Sequence, residues 1–130
     1  MCLTLTTILF TVLPVADDTK TLTSHPTIIE IYKEAQKQRN KYNKSTIALD
    51  EECCEMAQRW ANHMANNKKF HHGKDDQIIA RGYKNVKSVF RGWMNSSRHR
   101  AWILNSKSTK CGWGFQRSKG GMCYWVGVFR

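Results

Sequence analysis

From Ser24 onward apolar residues recur at spacings of three and four: Ile28, Ile31, Tyr32 and Ala35 follow Pro26. A proline suits the first turn of a helix, where its missing N–H has no partner to lose. The spacing predicts a helix from about His25 to Tyr42, followed by the polar turn NKST. Asp50 then stands where an N-cap belongs. Beyond it Cys53, Met56, Ala57, Trp60, Ala61 and Met64 form one apolar stripe, the clearest helix of the chain, ending near Asn67. The loop KKFHHGKDD is polar, and QIIA after it reads as a strand or turn. Asn85 is placed to cap a third helix through Val86, Val89, Phe90 and Trp93, ending around the break Asn95–Ser97. HRAWIL, from His99 to Leu104, reads as one or two further helical turns.

The period changes near residue 110. CGWGF and MCYWVGVF are rich in aromatic and β-branched residues, and QRSKGG separates them. That pattern predicts a hairpin with Gly120 and Gly121 at its turn. Helices first and strands last give an α+β class.

The 130 residues suit one domain, long enough to bury a core without metal or disulfide staples. A net charge of +11 favours anionic partners: nucleic acid, anionic lipid or an acidic wall polymer. The basic residues are scattered, however, and solubility alone accounts for most of them. The densest set, Lys33, Lys37, Arg39, Lys41 and Lys44, falls on the first helix and its exit. Nucleic-acid binding needs basic and aromatic side chains interleaved on one face. The aromatic tail carries few charges, so its rings read as core and nucleic acid is not expected.

The N-terminus, MCLTLTTILFTVLPVADDTK, holds an apolar run too short to span a bilayer as a helix, which takes about 20 residues. It resembles the core of a signal peptide, with Pro14, Val15 and Ala16 before a polar step. No Lys or Arg precedes the run, and Pro14 stands where a small residue is usual. A buried N-terminal strand or a misplaced start codon is the alternative. Export divides the chain into a signal peptide, 1–16, a lead, 17–23, and a domain, 24–130, and it places the product outside the cell or in its envelope. Cys2 then leaves. Cys53, Cys54, Cys111 and Cys123 remain, an even number that permits two disulfides in three connectivities. Adjacent helical residues point about 100° apart, so Cys53 and Cys54 do not bond each other. Cys111 and Cys123, on opposite arms of the hairpin, are the better pair.

His25 and His63 read as solvated. His71, His72 and His99 carry imidazoles that suit a metal such as zinc, with Asp75 and Asp76 near enough in sequence to assist. On the residues alone, a polar loop and an unrelated surface histidine are favoured over that set. Ser96 and Ser97 lie near His99 without an evident third group. No G-x-S-x-G, phosphate loop or dinucleotide fingerprint occurs.

The order of motifs resembles the CAP superfamily, or SCP domain. The matching stretches are AQRWANHMA, FHHG, QIIARG, GWMNSSRHRAWIL, CGWGF and YWVGVF, covering about residues 24–130, and the short bacterial form is the closer likeness. The resemblance implies a three-layer α-β-α sandwich with a small antiparallel sheet. It also implies a cleft where two histidines and two acidic residues meet. His72, just before Gly73, matches the first histidine better than His71, and His99 matches the second. The two acidic positions fall on Gln77 and near Ser96. A neutral amide is no base and balances a cation poorly. Two imidazoles alone hold zinc weakly. Three readings follow. The first is an exported module that binds a ligand or an anionic surface, lipid or wall polymer without conventional catalysis. The second is a hydrolase using a divalent metal on His72 and His99. The third is a structural domain in which Trp93, Trp102 and His99 lock the core. The missing carboxylates and the basic charge rank them in that order.

Overall fold

The computed structural model describes residues 21–74 and 76–130. The expected signal peptide, Cys2 and Asp75 lie outside the described residues. Pro26 opens α1 (Pro26–Lys41), and His25 is its N-cap, with Nδ1 accepting from the Thr27 N–H. The helix buries Ile28, Ile31 and Ala35. It also buries Arg39, only 1% exposed, so the densest basic set of the sequence loses a member to the core. Arg39 donates from Nε to the Ser45 carbonyl and from Nη1 to the carbonyls of Ile103 and Asn105. Three carbonyl acceptors stand in for a carboxylate, which is how a lone guanidinium is tolerated there.

The polar turn after α1 runs into β1 (Ala48–Leu49), a two-residue edge strand the sequence pattern did not announce. It is too short to show an alternation. Asp50 caps α2 (Glu51–Asn67) by accepting from the Cys53 N–H at 2.9 Å. Glu51 accepts from the Leu22 and Thr23 amides, both at 2.8 Å, and so ties the lead segment to this helix. QIIA resolves as a strand, β2 (Gln77–Arg81). Asn85 caps α3 (Val86–Met94) in a reciprocal box with Ser88. Ser96 precedes α4 (Ser97–Ile103), and the tail forms β3 (Lys110–Arg117) and β4 (Cys123–Phe129). Gly121 takes the positive φ of +89° that the hairpin turn requires.

The sheet order is β1-β3-β4-β2. The three longer strands are antiparallel, and β1 adds to β3 in parallel, so the sheet is mixed rather than wholly antiparallel. One face meets α2, where Ala57, Ala61 and Met64 pack on Ile79, Tyr124, Val126 and Val128. The other meets α1, α3 and α4 through Ile78, Ala80, Trp113, Trp125 and Phe129. Successive strand residues face opposite sides, which sorts the two sets. The result is the expected α+β, three-layer α-β-α sandwich. CGWGF now has a physical reading. Gly112 and Gly114 lie directly under the α2 backbone at Cys53, Cys54 and Ala57, where no Cβ fits, while Trp113 points into the other layer.

The expected Cys111–Cys123 disulfide does not form. In the hairpin Cys111 pairs with Phe129 and Cys123 with Arg117, so the two cysteines sit at opposite ends of the ladder. Six residues at about 3.4 Å each put them roughly 20 Å apart, far beyond disulfide reach. Lying on opposite arms of a hairpin was not sufficient, because register decides the pairing. Cys53, Cys54, Cys111 and Cys123 are all free and buried.

Candidate functional site

The site begins with a clamp on the loop before β2. Trp60 of α2 donates from Nε1 to the His71 carbonyl at 2.9 Å. Gly73 lies flat on its indole, so close that a Cβ there would stand 2.7 Å from Cδ2. His63 stacks on the same side chain, with centroids 4.7 Å apart and planes at 23°, and His71 meets it edge-on at 5.0 Å. His63 and His71 therefore serve as packing partners of Trp60. Between the two anchored residues, His71 and Gly73, stands exposed His72.

The opposite wall comes from α3 and α4. Trp93 is buried and donates from Nε1 to the Ile79 carbonyl, fixing α3 to β2. Trp102 stacks on Phe129 at 6.0 Å, Ile103 is buried, and Arg39 holds the carbonyls at the end of α4. These three attachments set the position of His99, in the first turn of α4 just after the break.

His72, Lys74, Gln77, Ser96, Arg98, His99 and Trp102 line one cavity of about 340 Å³. The four residues singled out in the sequence, His72, Gln77, Ser96 and His99, thus share a single space. Burial, and then the neighbouring His72 and Arg98, push the His99 imidazole below its ordinary value, which favours its neutral form. Lys74 was missed in the sequence, because a lysine in a polar loop carries no periodic signal. Arg39 stands in the sequence as one member of the densest basic set, and nothing local distinguishes a buried arginine from its exposed helical neighbours.

Asp76 takes no part. Its carboxylate pairs with Arg130 at 3.2 Å. Among the described residues no three of His, Cys, Asp and Glu stand close enough to hold a metal ion. The Gln77 oxygen is already engaged by the Gly73 and Lys74 amides. Among the described residues His72 and His99 therefore find no third ligand for a zinc site.

A three-layer sandwich with a histidine-bordered cavity beside its sheet defines a class of domain. The sequence pattern of the cysteine-rich secretory protein family matches residues 35–129, and the chain belongs to that CAP family. Its fold is similar to that of an outer surface protein from Borrelia burgdorferi, with a TM-score of 0.70 and 19% identity over 78% of this chain and 89% of that one. It is similar to an extracellular protein containing a SCP domain from Bacillus anthracis, with a TM-score of 0.62, 18% identity and 80% of this chain covered. A cysteine-rich secretory protein from Staphylococcus aureus gives a TM-score of 0.58, 19% identity and 79% coverage. The chain spans 40% and 37% of the length of these last two. No curated relative matches the sequence significantly. No helix among the described residues is long and apolar enough to cross a membrane.

Proposed function

We propose that this protein is an exported binding module that takes its ligand in the cavity between His72 and His99 and performs no conventional catalysis. The supporting observation is the lining itself: two imidazoles, an amide, a hydroxyl and two cations, with no carboxylate among the described residues. Acid–base hydrolysis needs a base poised against a second group, and metal-assisted hydrolysis needs a held metal. This lining favours recognition over either. Residues 1–16 serve as the export signal in this reading, in keeping with the extracellular and outer-surface descriptions of the structural relatives. The partner is anionic, an acidic wall polymer or an anionic lipid, matched to the net charge of +11.

Pull-down on wall polymer and on anionic vesicles, with wild type and the His72→Ala, His99→Ala double variant, tests this. Binding should fall steeply with salt and weaken in the double variant. Hydrolysis of a peptide or ester panel by the wild type, lost in the double variant, would overturn the reading in favour of an enzyme.

A further inference from the structure

Gln77 has its orientation imposed from one side. Its Oε1 accepts from the Gly73 and Lys74 N–H groups, each at 3.2 Å. Backbone N–H groups only donate, so the oxygen must face them and the amide nitrogen must face the other way. Among the described residues Nε2 has no acceptor. Gln77 itself lines accessible space. The space Gln77 borders is the His72–His99 cavity and an adjoining one beside Trp60. The residue is only 4% exposed, so this donor is set in a wall rather than carried on a loose side chain.

The surroundings of that nitrogen have one sign. Lys74 borders both spaces, Arg98 lines the first and Arg59 the second. Ser96 adds a hydroxyl. Neither lining contains a carboxylate among the described residues, and Asp76 is spent on Arg130. Such a set satisfies an acceptor-rich group and offers little to a cation.

We propose that the His72–His99 cavity is an oxyanion receptor for the carboxylate or phosphate group of its ligand, and that Gln77 Nε2 sets that preference. The inference rests on the binding-module reading and names the ligand chemistry. A glutamate at position 77 would still accept from the two loop amides, so the loop keeps its tie. Its second oxygen would place an acceptor and a negative charge where Nε2 now donates. In a half-enclosed site this reversal weighs more than it would in water.

The test is calorimetric titration of wild type, Gln77→Glu and a Lys74→Ala, Arg98→Ala double variant with inorganic phosphate and, separately, acetate. Ionic strength is held constant with sodium chloride, and thermal melts check folding. Wild type should bind one of the anions, and the one it prefers identifies phosphate or carboxylate as the recognised group. Gln77→Glu should weaken that binding about tenfold or more, the cost of replacing a charge-assisted bond by repulsion. The lysine–arginine variant, altered only at exposed positions, should weaken it severalfold and carries the test if Gln77→Glu does not fold. Unchanged affinity in the variants overturns the proposal. Wild type blind to both anions, while polymer or vesicle binding still depends on His72 and His99, overturns this inference and leaves the binding module standing. Loss of that dependence as well removes both.

Discussion

Trp60 and Gly73 show how much the site owes to single contacts. The indole holds the His72 loop by one hydrogen bond and one flat contact, and the contact at Gly73 leaves no room for a methyl group. Gly73→Ala should cost about 1–3 kcal/mol in thermal or denaturant unfolding, as overpacking does, and should also weaken cavity binding because the loop must lift. Arg39 acts from the far side of α4. Arg39→Ala leaves the Ser45, Ile103 and Asn105 carbonyls without donors. A loss of roughly 2–4 kcal/mol is expected, measured by urea unfolding. Lys37→Ala on the same helix, at an exposed position, should change stability by less than about 0.5 kcal/mol. The thiols behave alike. Burial pushes Cys53 and Cys111 up to about 12 and Cys54 to about 11. Iodoacetamide at pH 8 should leave these three unmodified in the native protein and label them after unfolding, read by peptide mapping.

Among the elements, α2 carries the most. Its cap, Asp50, has a carboxyl held below the usual range by the Cys53 amide. Burial alone would raise Glu51, but the Thr23 and Leu22 amides outweigh it and lower its value. Carboxyls depressed on folding contribute stability that is complete above about pH 4.5, their unfolded range. It is lost as pH falls through the lower native values. Asp50→Ala should therefore cost about 1 kcal/mol at pH 7, and the gap to wild type should close below pH 4 in acid-unfolding curves. The helix approaches β3 over Gly112 and Gly114, where a side chain meets helix backbone. The helices were legible because caps and apolar stripes are local signals: Asp50, Asn85 and Pro26 all act where the sequence places them. β1 and the hairpin register were not, because a two-residue strand has no period and register is fixed by partners far along the chain.

At the scale of the whole molecule, the sandwich puts two distant segments side by side. His72 and Gln77, before and at the start of β2, are remote in sequence from Ser96 and His99 at the start of α4, and only the fold brings the four into one cavity. Motif order indicated these four, whereas Lys74 and the direction of the Gln77 amide needed the fold. The five histidines offer direct reporters, since His25 lines a different cavity with Gln58, Phe115 and Arg117. Imidazole Cε1–H resonances, followed by NMR while a soluble acidic wall-polymer fragment is added, test the binding site most directly. The His72 and His99 resonances should shift with saturation while His25 stays in place. Polymer binding with His72 and His99 unmoved would contradict the account.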